Sequence, residues 1–247
     1  MKARKFILLC FLFLLLAVSC YSDNVNIISV HCSYEKMVFY NYHLEMEITL
    51  ASIANNERTH EIIENLIYQG MDFDEYVEYR EREFIGDARG DFYPLYINDD
   101  GSVYIYRSLL DVDYSIQYYC EEYVIVRCFE YYYHTGMPHG IYWFNYLIID
   151  IRNERLLLIE DLINDIPDYV LLEIIEDKYD IRYYLRENIW PPDAVNFSGV
   201  GVELLWNIYQ ITPYNVGLIR IIINEFLMEE YLTNIGKELW SLTGALR

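Results

Sequence analysis

Lysine is scarce in this chain: five residues of 247, beside 13 arginines and against 39 aspartates and glutamates. The formal net charge is -21, which repels phosphate backbones and excludes electrostatic binding of nucleic acid. Glycine (11) and proline (6) are few and apolar residues reach 54%, so the chain is neither collagen-like nor disordered. Chemistry is missing as well. There is no CxxC or Cys/His zinc spacing, no HExxH, and no glycine-rich phosphate loop. Asn196-Phe197-Ser198-Gly199 lacks the leading glycine of a GxSxG nucleophile elbow. Acidic pairs such as Glu121 and Glu122 abound, but glycosidase chemistry needs two carboxylates at a set separation in a cleft. The expectation is a protein without catalytic residues, cofactor or metal.

What is present begins with an address. Lys2, Arg4 and Lys5 precede an apolar run of 13 residues, Phe6 to Val18. A spanning helix needs about 20, so residues 1–19 read as a signal peptide. Ala17-Val18-Ser19-Cys20 resembles the lipobox of bacterial lipoproteins, with Leu16 one place further back than usual. Cys20 is therefore the expected lipidation site, and a lipid anchor needs no transmembrane helix. The expected location is the cell envelope of a bacterium, on a membrane held through that lipid. Removing residues 1–19 leaves 15 basic side chains against 39 acidic ones, a net charge of -24. A codon bias favouring Tyr and Ile would also raise Lys, so the acidity reads as a property of the surface. Cys32, Cys120 and Cys128 remain, an odd number, with their pairing open and three buried thiols as the alternative.

Patterning then divides the chain. Residues 20–30 read as lipidated Cys20 and tether. Tyr42, Leu44, Met46, Ile48 and Leu50 alternate with polar residues, which predicts a strand. Asn55 or Asn56 is placed to cap a helix carrying Ile62, Ile63, Leu66 and Ile67, ended by Gly70, with a second helix around Phe73 to Arg80 and before Gly86. Strands are expected at 92–97 and 103–107 around Asn98-Asp99-Asp100-Gly101, then at 113–119, 123–133 and 141–151. A helix over 168–188, strands at 201–211 and 218–223 and a helix over 224–232 complete the reading. The class is α+β, a mostly antiparallel sheet with helices segregated between strand blocks. Residues 31–112 form an N-terminal α+β region and 113–236 a second domain, expected to pack together as one unit.

Tyr133-His134-Thr135-Gly136-Met137-Pro138-His139-Gly140 resembles the Tyr-Thr-Gly-Gly-Ala-His signature of the RsiV-type C-terminal domain. Asp150 with Leu157-Leu158-Ile159-Glu160-Asp161-Leu162-Ile163 is similar to that family's Asp, short turn and Leu-x-Asp-Leu block. Tyr209-Gln210-Ile211-Thr212-Pro213-Tyr214-Asn215-Val216-Gly217 is similar to its Tyr-x-x-x-Pro-Tyr-x-x-Gly block. Met137 and Pro138 depart from the signature, as do Arg152 and Asn153 where Thr-Gly is usual. The family occurs in the extracellular part of anti-sigma factors and beside peptidoglycan deacetylases, and some members bind lysozyme. The resemblance implies Tyr133, Thr135, Gly136, His139, Tyr209, Pro213, Tyr214 and Gly217 as ligand-binding candidates. The alternative is structural: Gly136 supplies a bend, His139 bonds locally, and Tyr214 packs.

Two functions follow as expectations. One is an envelope lipoprotein that binds a protein ligand, a basic one such as lysozyme. The other is a peptidoglycan-associated enzyme or accessory domain. A surface lipoprotein without dedicated ligand is the third alternative.

Overall fold

The computed structural model describes residues 11–13, 27–39, 42–53, 56–90, 99–102, 106–179, 189, 191–223 and 228–244. Cys20, most of the signal run, the strand expected at 92–97 and the helical segments 180–188 and 224–227 lie outside the described residues. The fold is α+β, with five α-helices and two mostly antiparallel sheets among the described residues. It divides into two compact units. The first holds the described residues of Met1–Ser19, Asn24–Ser115 and Phe129–Ile141, and the second those of Ile116–Cys128 and Tyr142–Arg247.

In the first unit, β2 (Ile27–Phe39) and β3 (Tyr42–Ile53) form an antiparallel pair, Ile27 opposite Ile53 and Phe39 opposite Tyr42. A short β1 (Phe11–Phe13) lies on the outer side of β2. β2 was not foreseen, and its first residues, 27–30, fall in the stretch read as tether. The alternation in β3 is the one expected. Leu44, Met46, Ile48 and Leu50 are buried on one face, while Glu45, Glu47 and Thr49 take the other.

Helix α1 (Glu57–Ile67) starts where Asn56 Oδ1 accepts the Thr59 N–H at 3.1 Å, an N-cap. Ile62, Ile63 and Ile67 turn inward, and α1 packs on β3. α2 (Phe73–Gly90) also packs on β3 and continues through Gly86, four residues past the expected stop. Both helices form the crossover to β4 (Tyr106–Tyr119), which runs parallel to β3, Tyr42 opposite Tyr106.

Aromatic residues fill this unit in satisfied form. Tyr68 donates its hydroxyl to the Ala51 carbonyl at 2.9 Å, and the buried Tyr76 and Tyr114 hydroxyls share a bond of 2.9 Å. A buried phenol needs such a partner, so these tyrosines are core residues with their polar ends paired.

β5 (Tyr123–His134) and β6 (Ile141–Asp150) follow, then β7 (Arg155–Leu157). The larger sheet has the order β1-β2-β3-β4-β5-β6-β7, and β4, β5 and β6 each contribute residues to both units. In the second unit come α3 (Ile159–Leu162), α4 (Asp168–Tyr179), β8 (Ala194–Ser198), β9 (Gly201–Trp206), β10 (Ile219–Ile223) and α5 (Asn234–Gly244). β9 is the centre of the small sheet, and all six of its residues are buried. Val202, Leu204 and Trp206 meet Ile219, Ile221, Ile223 and Phe197 in one core cluster, closed by Leu171 and Ile175 of α4 and Leu239 of α5.

β9 ends at Trp206, five residues before the expected 211, and α5 was not foreseen. Cys120 is a free thiol whose Sγ accepts the Tyr123 N–H at 3.3 Å, and no disulfide joins it to Cys128. Burial pushes the Cys120 thiol up.

The cap on α1 gives a direct test. Asn56→Ala leaves the Thr59 N–H without its acceptor and is expected to lower stability by about 1 kcal/mol, measured by urea unfolding. Asn56→Asp keeps an acceptor and is expected to hold most of it.

Candidate functional site

The candidate residues fall in two groups, one per unit. Tyr133, Thr135, Gly136 and His139 belong to the first unit, and Tyr209, Pro213, Tyr214 and Gly217 to the second.

In the first unit, β5 ends in a tight turn closed by the Met137 N–H donating to the His134 carbonyl at 3.0 Å. Gly136 adopts φ +100°, a left-handed geometry that a side chain would strain. Thr135 pins the turn to the start of β4. Its hydroxyl accepts the Arg107 N–H at 2.7 Å and donates to the Arg107 carbonyl at 3.0 Å, while its own N–H donates to that carbonyl at 2.8 Å. His134 stacks on Phe84, centroids 4.8 Å apart, and its Nδ1 is 2.7 Å from the Ser108 hydroxyl. His139 Nδ1 is hydrogen-bonded to the Gly140 carbonyl at 3.2 Å. Tyr133 is half-buried on β5. Thr135, Gly136 and His139 thus all lie in or beside this bend, each with local geometry or bonds that shape it.

Behind the turn, Arg80 of α2 pairs with Glu130 of β5 at 2.8 Å and with Glu83 at 3.3 Å. Although burial opposes its charge, Glu130 and Tyr76 raise the Arg80 guanidinium above its ordinary value. Sequence reading missed this pair, since Arg80 and Glu130 lie 50 positions apart and no spacing links them.

The second group sits on a loop that its own neighbours hold in place. Asn207 follows β9 and substitutes for a strand partner. Its Oδ1 accepts the Phe144 N–H at 2.7 Å, its Nδ2 donates to the Phe144 carbonyl at 2.9 Å, and its own N–H donates to Asp193 at 2.6 Å. Burial pushes the Asp193 carboxyl up. Tyr209 then takes φ +70°, uncommon for a residue with a side chain, and stands 43% exposed. Ile211 and Thr212 turn back into the core. Pro213 and Asn215 are exposed, and Tyr214 opens a short 3-10 turn, Tyr214–Val216, in which the Val216 N–H donates to the Pro213 carbonyl at 3.0 Å. Gly217 ends the loop at φ +82°, with the Tyr142 hydroxyl 3.5 Å from where a Cβ would sit.

The block from Asp150 to Ile163 is held by local hydrogen bonds. Asp150 is buried and accepts from the Asn153 N–H and side-chain amide at 3.1 and 2.8 Å, closing the turn into β7. Asp161 takes both arms of Arg155, at 3.0 and 3.1 Å, and the Leu158 N–H at 2.9 Å.

One buried acid was not foreseen. Glu203 lies in β9 with 5% exposure. Its carboxylate accepts from Arg220 Nε, from the Tyr146 hydroxyl at 3.2 Å and from Asn196 Nδ2 at 3.4 Å. Burial first, and Glu203 second, push the Tyr146 phenol up. Among the described residues no group of three or more His, Cys, Asp or Glu side chains is arranged to hold a metal, and no helix is long and apolar enough to cross a membrane.

An α+β chain of two mostly antiparallel sheets is the class that this geometry defines. Compared by sequence, it matches no protein-family model and no curated protein. Compared by structure, it shares its fold with proteins of the DUF3298 family, a family of unknown function. A DUF3298 member from Bacteroides fragilis superposes with a TM-score of 0.65 at 20% identity, over 88% of this chain and 98% of that one. A DUF3298 protein from Pseudomonas aeruginosa gives 0.56 at 15% identity, over 86% of this chain and 96% of that one.

Two outcomes test these assignments. Asn207→Ala strands both polar groups of Phe144 and is expected to cost about 2–4 kcal/mol in chemical unfolding, whereas a loss under 1 kcal/mol would refute the clamp. Arg155 holds the Asp161 carboxyl below its ordinary 3.8. A depressed value contributes stability above 3.8 that is lost as pH falls below it. Asp161→Asn is expected to flatten the acid-side decline of the melting temperature slightly, the pair being solvent-screened.

Proposed function

We propose that this protein is a lipoprotein of the bacterial cell envelope, anchored through Cys20, that binds a basic protein ligand such as lysozyme. The loop from Asn207 to Gly217 carries the reading. Its ends are fixed by Asn207 and by the Gly217 turn and its middle by buried Ile211 and Thr212, while Tyr209, Pro213 and Asn215 face solvent. A loop fixed before encounter loses little entropy on binding, and tyrosine offers a broad contact with few rotatable bonds.

Charge supports the same reading. Residues 20–247 carry -24, and such a field speeds encounter with a cationic partner and makes it salt-sensitive. The three blocks similar to the RsiV-type domain lend lysozyme as the ligand to try first.

Calorimetric titration of the protein, expressed from its full sequence, with a c-type lysozyme tests the proposal. Binding at low salt that weakens at physiological salt is expected, and Tyr209→Ala should weaken it about tenfold without unfolding the protein. No heat at tens of micromolar and low salt would overturn the reading.

A further inference from the structure

Helix α4 borders a second surface feature. Val170 and Ile174 line a cavity of about 620 Å³ whose other apolar walls are Ile166, Ile223, Met228 and Tyr231. The charged residues lining it are Glu173, Asp177 and Glu230, all exposed, and no Lys or Arg is among its described lining residues. Glu173 and Asp177 stand four residues apart on one helix face, a spacing at which like charges weaken a helix. Lys178 brings them no relief, because its Nζ donates to the Arg220 carbonyl at 2.6 Å and lies over the Tyr179 ring. On the other side of Ile166 lies a recess of about 370 Å³ whose charged lining is again acidic: Glu160, Asp165 and Asp168. Tyr169, at the start of α4, is 69% exposed.

We propose that the α4 cavity is a docking site for a basic amphipathic segment of a partner protein. An aliphatic side chain of the partner enters among Val170, Ile174 and Met228, and flanking Lys or Arg side chains face Glu173, Asp177 and Glu230. Apolar burial holds the segment, and the acidic rim selects its sign. An anionic membrane surface is repelled by the same rim, and an acidic peptide likewise. The inference rests on the reading of the protein as a binder of basic ligands and adds the kind of segment it takes.

Fluorescence anisotropy with the full chain tests this. The probe is a labelled Leu/Lys peptide of about four helical turns with its leucines on one face. A scrambled peptide of the same composition and a Leu/Glu version of the first serve as comparisons. Saturable binding of the amphipathic Leu/Lys peptide is expected, about tenfold weaker for the scrambled one and absent for Leu/Glu. Ile174→Trp, which fills the cavity, and the triple change Glu173→Gln, Asp177→Asn, Glu230→Gln should each weaken it about tenfold. Glu57→Gln, Glu61→Gln and Glu78→Gln together remove the same charge from the first unit and should leave affinity unchanged. Equal binding of amphipathic and scrambled peptides, or equal losses in the two triple variants, would mean diffuse charge attraction and overturn the proposal. Lysozyme titrated in parallel separates the two readings. Peptide binding without lysozyme binding sinks the lysozyme reading alone, and lysozyme binding without peptide binding, or peptide binding untouched by the α4 variants, sinks the α4 site alone.

Discussion

The second unit is organised around one buried carboxylate. Glu203 lies in a strand whose every residue is buried, and a charge in such a place is tolerated only with its oxygens fully engaged. Arg220 comes from β10, Tyr146 from β6 and Asn196 from β8. The register puts Ile222 opposite Glu203, so Arg220 reaches the carboxylate diagonally. Helix α4 then fixes Arg220 by its backbone: the Tyr179 hydroxyl and Lys178 both donate to the Arg220 carbonyl at 2.6 Å. Three strands of the small sheet, one strand of the larger sheet and a helix thus meet at one buried carboxyl group. An apolar residue in place of Glu203 would suit the strand's burial pattern, but it would leave Arg220, Tyr146 and Asn196 without a shared acceptor.

Much of this architecture was legible where local physics acts alone. The alternation in β3 marks a half-buried strand, and Asn56 ahead of a run of buried isoleucines marks a helix start. Legibility fails where a distant partner decides. β2 mixes Ser29, His31, Ser33 and Lys36 among its apolar residues, so its strand character comes from pairing with β3. β9 was expected to continue to Ile211. Asn207 ends it by spending its side chain on Phe144, 63 positions away. The turn at Ser198–Gly201 makes a β8–β9 hairpin of a stretch weighed only for a nucleophile.

The candidate site divides along the same line. Thr135, Asp150 and Asp161 are recognisable as motif residues, yet each is engaged in holding a turn or a helix start. A motif shared with a family can therefore encode a fold as readily as a ligand contact. Nothing in the spacing tells that Tyr209 faces outward while Ile211 and Thr212 face inward, because the left-handed turn at Tyr209 is what parts them. The acidity, by contrast, is read from composition alone and gains meaning only where exposed acids gather beside apolar walls, as along α4.

The clamp at Asn207 also limits how this protein can change over generations. A loop held at Phe144 on one side and turned sharply beside Tyr142 on the other, with two residues sunk in the core between, has a fixed length. An inserted or deleted residue would unseat Ile211 and Thr212 and pull open the packing beneath them. Variation at this surface must come by exchanging side chains at the outward positions, Tyr209, Pro213 and Asn215. Relatives that keep this clamp should therefore differ here in spelling and not in length, each sampling new partners on an unchanged frame.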